Sequence, residues 1–201
     1  MSNVVNIILD LLFPRRCPVC GQIVMPKGAL ICGACMKKLS WVRSPVCKCC
    51  GKEIISETME YCPDCAARPR AFSHGMALLN YNEISAPSLA MIKYHNRREY
   101  LDFYAEAAYR RYAGNIARLS PSLIIPVPVH KSRLKKRGFN QAEEIGKRLS
   151  EHLKIPMSSE YLIRSKKTVP QKDLGPALRL KNLEQAFFCK KLPPGVKKVL
   201  L

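Results

Sequence analysis

Cys17-Pro18-Val19-Cys20-Gly21 and Cys32-Gly33-Ala34-Cys35 return thirty residues later as Cys47-Lys48-Cys49-Cys50-Gly51 and Cys62-Pro63-Asp64-Cys65. One unit, C-x2-C-x11-C-x2-C, therefore occurs twice in tandem. A C-x2-C pair turns two sulfurs toward one point. A second pair, brought back by a hairpin, completes a tetrahedron of thiolates, which is how a closed structural zinc site is built. Gly21 and Gly51 follow the second cysteine of their knuckles, where a small residue permits a tight turn. Disulfides, buried free thiols or an iron–sulfur cluster are the competing readings, and four pairs at matched spacing favour zinc. The expectation is two structural zinc ions: Cys17, Cys20, Cys32 and Cys35 hold one, and Cys47, Cys50, Cys62 and Cys65 hold the other. The spacing also admits a cross-braced pairing. Cys49 and Cys189 fall outside the pattern.

The chain has 201 residues, enough for one large or two small domains. A ribbon of that cysteine density cannot bury a large core, so metal must supply its folding free energy, ~10–16 kcal/mol per structural zinc. The rest of the chain is long enough for an ordinary core. With 34 Lys plus Arg against 15 Asp plus Glu, the formal charge is +19. Two tetrathiolate zinc sites, each with a net −2, would bring it to +15. Such a chain attracts polyanions: nucleic acid, phosphate-rich ligands or an acidic membrane surface.

Residues 1–16 read as an amphipathic N-terminal segment, with Val4, Val5, Ile7, Ile8, Leu9, Leu11, Leu12 and Phe13 apolar. The segment has no basic start and no small-residue cleavage site, so it is not a signal peptide, and it is too short to span a bilayer. No transmembrane segment is expected. Thiolate zinc sites suit a reducing cytoplasm.

Residues 17–67 form the double ribbon, and residues 68–201 read as an α/β domain. Gly75 to Tyr81 reads as a strand. Pro87 suits a first helical turn, and Leu89 and Ile92 continue a short helix. From Glu99 to Arg118, Leu101, Tyr104, Ala105, Ala108, Tyr112 and Ile116 recur at helical spacing, with the tyrosines as core or interface residues. Leu123 to Val129 is an apolar run suited to a buried parallel strand, and its two prolines mark a strand end opening into a loop. A basic loop is expected from Lys131 to Gly138. Asn140 caps a helix lined by Ala142, Ile145, Leu149 and Leu153. Tyr161 to Arg164 is a short strand, Ser165 to Gly175 a polar loop, Leu178 to Ala186 a helix, and Val196 to Leu201 the start of another buried strand. This alternation implies a parallel sheet. The chain ends inside that last strand, so it reads as a fragment.

In an open α/β sheet, ligands gather at the carboxyl ends of strands. His130, Lys131, Arg133, Lys135, Lys136, Arg137 and Gly138 sit at such a place, and five of these seven carry positive charge. With backbone donors and a helix N-terminus, they suit phosphate or pyrophosphate. A solvated basic loop is the alternative. A second polar stretch, Arg164 to Asn182, carries Thr168, Gln171, Leu174, Arg179 and Asn182. No nucleophile–base pair is evident, and no catalytic residue is assigned. His74, His95, His130 and His152 are scattered.

Taken together, these residues carry a resemblance. The double ribbon is followed by Lys93-Tyr94, then by I-P-V-P-V-H leading into R-G-F-N-Q-A (Arg137 to Ala142). R-x3-T-x2-Q-x2-L-x4-R-x2-N then runs from Arg164 to Asn182. The chain resembles the ComF family over nearly its whole length, most specifically in R-G-F-N-Q-A. The resemblance implies a zinc ribbon fused to a type I phosphoribosyltransferase domain, and a role in natural competence and DNA uptake. It implies single-stranded DNA and phosphoribosyl pyrophosphate as ligands, Mg2+ accompanying the latter in the complete protein, and a competence helicase as partner. Thr168, Gln171 and Arg179 would join the basic cluster at the substrate. The family's acidic-pair loop, which grips ribose and 5-phosphate, would begin where this chain ends, so no transfer is expected of these residues alone. An active phosphoribosyltransferase of nucleotide metabolism and a non-catalytic zinc-ribbon scaffold stay open as alternatives.

Overall fold

In a computed structural model, the described residues are 13–68, 70–166, 168, 174–183 and 185–201, without the side chains of 176, 177, 179 and 180. Most of the N-terminal segment and most of the polar loop after Ser165, including Gln171, lie outside them. The chain divides between Phe103 and Tyr104 into two compact units.

The first unit begins with the ribbon, and the sequence repeat is also a repeat of backbone hydrogen bonds. The Cys17 amide donates to the Gln22 carbonyl at 2.8 Å, and the Cys47 amide donates to that of Lys52 at 2.8 Å. The Gly21 and Gly51 amides return to the Cys17 and Cys47 carbonyls, each at 2.9 Å. Single antiparallel bridges, Arg16 with Ile23 and Val46 with Glu53, close the two hairpins. Each repeat then enters a short helix directly after its third cysteine: α1 (Gly33–Lys38) and α2 (Pro63–Ala66). Val24 and Ile54 are the buried apolar plugs at equivalent places.

After the ribbon the chain returns to it. The Gly75 amide donates to the Cys49 carbonyl at 2.6 Å, and Leu79 bridges Trp41 in antiparallel sense. The expected strand from Gly75 to Tyr81 is thus extended chain with one bridge, not a sheet strand. Asn80 Nδ2 and the Arg43 amide donate to Glu53 at 2.8 and 2.9 Å and hold its carboxyl below the usual range. The Asn82 side chain accepts from the Ile84 and Ser85 amides and starts α3 (Ser85–Tyr94), as Asx residues do at helix entrances. α4 (Tyr100–Leu119) follows, and its first turn belongs to this unit. Ile92, Tyr100, Leu101 and Phe103 are buried here, and Phe103 meets Trp41 edge-on at 6.4 Å.

In the second unit, β1 (Leu123–Ile124) pairs in parallel with β4 (Val199–Leu200), Leu123 opposite Val199. On its other side, Ile124 bridges Met157 in parallel. The strand expected over Leu123 to Val129 is cut to two ladder residues, because Pro126 and Pro128 have no N–H to give. α6 (Gln141–Leu153) packs on this layer through Gly146, where an added Cβ would lie 2.8 Å from Met157 Sδ. Its cap is the expected one: the Asn140 side chain accepts from the Ala142 amide at 3.2 Å. Asn140 Nδ2 also donates to the Val127 carbonyl at 3.1 Å, tethering the segment beyond β1. β2 (Leu162–Arg164) and β3 (Phe187–Cys189) form an antiparallel pair, with α7 (Pro176–Leu183) between them. Helices and strands are therefore mixed as expected, but among the described residues the parallel ladder is confined to β1 and β4, and β2 with β3 is antiparallel.

The largest departure lies at Lys131–Arg137, expected as a loop. It is a helix, α5. Lys and Arg are good helix formers, His130 Nδ1 accepts from the Ser132 amide at the N-cap, and Gly138 closes the end at φ 80°.

Candidate functional site

The two tetrads are assembled in tandem, not cross-braced. The sulfurs of Cys17, Cys20, Cys32 and Cys35 all lie within 4.8 Å of one another, and so do those of Cys47, Cys50, Cys62 and Cys65. Cys20 to Cys32 and Cys50 to Cys62 are each 3.8 Å between sulfurs. A tetrahedron with Zn–S bonds of ~2.3 Å has edges of about that length. The donor set is four thiolates without an open position, as a structural ion requires. The surroundings are equally matched. Burial would push the Cys17 thiol up, but N–H groups of Cys20, Cys32 and Val19 outweigh it and bring Cys17 down to about 7. N–H groups of Cys50, Cys62 and Cys49 likewise bring Cys47 down to about 6 against burial. Donors aimed at a sulfur favour its thiolate, the form that binds metal. Burial and neighbouring thiolates push Cys32 and Cys50 up to about 12, a repulsion that a divalent cation at the centre would remove. The residues present fit two structural zinc ions. Cys49 lies beside the second tetrad, against Cys65, but is not one of its four ligands.

The basic cluster of the second unit is rearranged relative to expectation. In α5 the Arg133 and Leu134 amides donate to the His130 carbonyl, so they are spent on the helix and not offered to a ligand. His130 serves as cap, and Gly138 as left-handed terminus. Lys131, Lys135 and Lys136 are exposed, and Arg137 donates to the Gln141 side chain. Cations in the last turn also complement the helix dipole, a role that needs no ligand.

Arg133 turns to the second polar stretch, where Nη2 donates to the Thr168 carbonyl at 3.4 Å. Arg164, at the end of β2, meets it there by donating to Thr168 Oγ1. Two guanidinium groups thus converge on one residue. Arg164 stacks over the Phe187 ring at 5.3 Å, and its Nε is buried without a hydrogen-bond partner among the described residues. Burial first, and then the like charge of Arg133, pull Arg164 below its ordinary value. Among the described residues no carboxylate pairs with either arginine. The structure therefore joins Arg133 and Thr168 of the expected substrate residues, adds Arg164, and leaves Lys131, Lys135, Lys136 and Arg137 outside the group. Gln171 and the Arg179 side chain lie outside the described residues.

Residues 8–66 match the double zinc ribbon domain family. The chain is 30% identical over 179 residues to competence protein F of Haemophilus influenzae, covering 87% of this chain and 76% of that protein. It belongs to the ComF family. This ComF chain is also 24% identical over 150 residues to competence protein ComFC of Bacillus subtilis (69% of this chain, 60% of that protein). It is 25% identical over 179 residues to the DNA utilization protein YhgH of Escherichia coli K12 (87% and 77%). No solved structure matches it. No helix among the described residues is long and apolar enough to cross a membrane.

Arg164 stands first in the ComF-like pattern from Arg164 to Asn182, yet as a lone arginine at a strand end it carried no signal of its own. The signal is the partner set: Arg133, Thr168 and Phe187 gather round it only once β2, β3 and α5 are folded.

Proposed function

We propose that this protein serves the uptake or use of DNA in natural competence, in the cytoplasm. In this reading it holds single-stranded DNA by charge and a pyrophosphate-bearing ligand, of the phosphoribosyl pyrophosphate class, in its second unit. The names of its relatives, competence protein F and DNA utilization protein, support the first part. The formal charge of +19 supports the affinity for polyanions.

The observation that carries the ligand is the meeting of Arg133 and Arg164 at Thr168 with no carboxylate beside them among the described residues. Two like charges held together and partly desolvated are unfavourable on their own. An anion with several oxygens relieves both, and guanidinium forks suit phosphate oxygens in paired geometry. In this reading residues 68–201 include a phosphoribosyltransferase-like domain, zinc only folds the ribbon, and Mg2+ accompanies the ligand.

Calorimetry on the zinc-loaded chain tests it, with inorganic pyrophosphate and with phosphoribosyl pyrophosphate plus magnesium. The unchanged chain binds inorganic pyrophosphate. Arg133→Ala or Arg164→Met weakens binding about tenfold or more, at ~1.5–3 kcal/mol for a lost charged hydrogen bond. Absence of pyrophosphate binding by the unchanged chain, or equal binding by both variants, overturns the ligand assignment.

A further inference from the structure

Helix α3 is unusual in so basic a protein. Its sequence, Ser-Ala-Pro-Ser-Leu-Ala-Met-Ile-Lys-Tyr, has one charged residue in ten. Ser85, Ser88 and Ile92 are buried and define its inner side. At 100° per residue, Pro87 and Tyr94 fall on the opposite side of the helix, and both are exposed. Tyr94 leaves 66% of its surface to water. An aromatic ring placed on the outermost ridge contributes nothing to the core.

The turn after the ring is fixed in place and basic. The His95 and Arg97 amides both donate to the Met91 carbonyl, at 3.0 and 3.3 Å. Asn96 takes the left-handed conformation at φ 55°, and Arg98 Nε donates to its Oδ1 at 2.8 Å. The chain therefore turns sharply after Tyr94. From Lys93 to Arg98 it carries three cations and no acid, and Arg97 is held by Glu99 at 3.4 Å. Lys93 alone would be explained by the dipole of the helix end. The bare ring beside it is not explained that way.

A partner for this corner must offer a flat π-face and negative charge together. Single-stranded DNA does so, since each nucleotide presents a base to stack on an aromatic ring and a phosphate for a neighbouring cation. A duplex hides its base faces in the stack. We propose that the corner Lys93–Arg98 is a single-strand contact, in which the Tyr94 ring stacks on a base while Lys93 and Arg98 meet the flanking phosphates. The proposal rests on the reading that this protein binds DNA, and it places a contact in the first unit.

The test is fluorescence anisotropy of the zinc-loaded chain with labelled oligo-dT and with a duplex of equal length, at several salt concentrations. Tyr94→Ala weakens oligo-dT binding about tenfold, the loss expected for one stacked base. Tyr94→Phe restores it, and Tyr94→Leu, similar in bulk but without a π-face, does not. Duplex binding changes less than twofold, and the salt slope for oligo-dT stays as it was, because no charge is removed. Zinc content and circular dichroism report that the variants fold. Equal oligo-dT binding by Tyr94→Ala, full rescue by Tyr94→Leu, or equal losses for single strand and duplex overturn the proposal and leave DNA binding itself standing. If the unchanged chain does not bind oligo-dT, the functional reading falls, and this contact falls with it.

Discussion

Gly21 and Gly51 hold equivalent places in the two knuckles, at φ 72° and 71°, yet their surroundings differ. A Cβ on Gly21 would meet nothing within 4 Å. One on Gly51 would lie 2.5 Å from the Gly75 carbonyl oxygen and 3.0 Å from Met76 Cα. Gly75 is equally confined, 2.8 Å from Cys50 Cα by the same measure. Among the described residues, chain is seated against Gly51 and not against Gly21, by backbone atoms that cannot swing aside as a side chain would. Gly21→Ala therefore adds only left-handed strain, ~1–2 kcal/mol. Gly51→Ala adds that strain and a backbone collision, and it must displace Gly75 or distort the loop that presents Cys47 and Cys50. In competition with a chelator, Gly51→Ala loses one zinc equivalent at clearly lower chelator than Gly21→Ala does. Equal sensitivity of the two variants would mean that residues 75–77 do not rest on the second knuckle in solution.

At the scale of elements, α5 shows how one sequence signal can be read twice. Lys135, Lys136 and Arg137 read as ligands of a loop, and the structure makes them the last turn of a helix whose own dipole they complement. Their side chains still project charge. Replacing all three by Ala lowers the salt slope of single-strand binding by about 2, at ~0.7 per phosphate contact. An unchanged slope would remove α5 from the DNA-binding surface. The ribbon was legible in the sequence because metal geometry dictates cysteine spacing. The α6 cap was legible because Asn140 acts on an amide two residues away. The α5 helix was missed because its N-cap is a histidine, an uncommon cap, and because dense charge suggested a ligand loop. The strand from Leu123 was read too long, since apolar character persists through residues whose prolines cannot join a ladder. Arg164 was not legible as a site residue, since what makes it unusual is Arg133, brought to Thr168 across 35 positions.

The whole molecule consists of two units that gain their stability differently. In the first, the second knuckle's core is Cys47, Ile54 and Cys62, with Met59, Cys49, Cys50 and Cys65 against it, so six of these seven side chains carry sulfur. Thiolates gathered this closely repel one another without a cation, and the ion's binding free energy is then folding free energy, ~10–16 kcal/mol per site in model fingers. The second unit buries Ala105, Ile116, Leu123, Ile124, Ile125, Phe139 and Ala186, a hydrocarbon core independent of metal. Removing zinc should therefore melt the ribbon and spare the second unit. Metal analysis of the purified chain gives about two equivalents, the number two closed four-cysteine sites require. A strong chelator releases both, and the far-UV signal of α4 and α6 persists. Acid has the same effect, because each thiolate that takes up a proton is lost as a ligand. In the metal-free sites Cys17 and Cys47, drawn down against burial to about 7 and about 6 by backbone N–H groups, keep their thiolates to lower pH than Cys32 and Cys50 do. A single transition that abolishes all helix on chelation would show the second unit to depend on the ribbon. A stoichiometry of one would break the equivalence of the two repeats, and with it the tandem assignment of their eight cysteines.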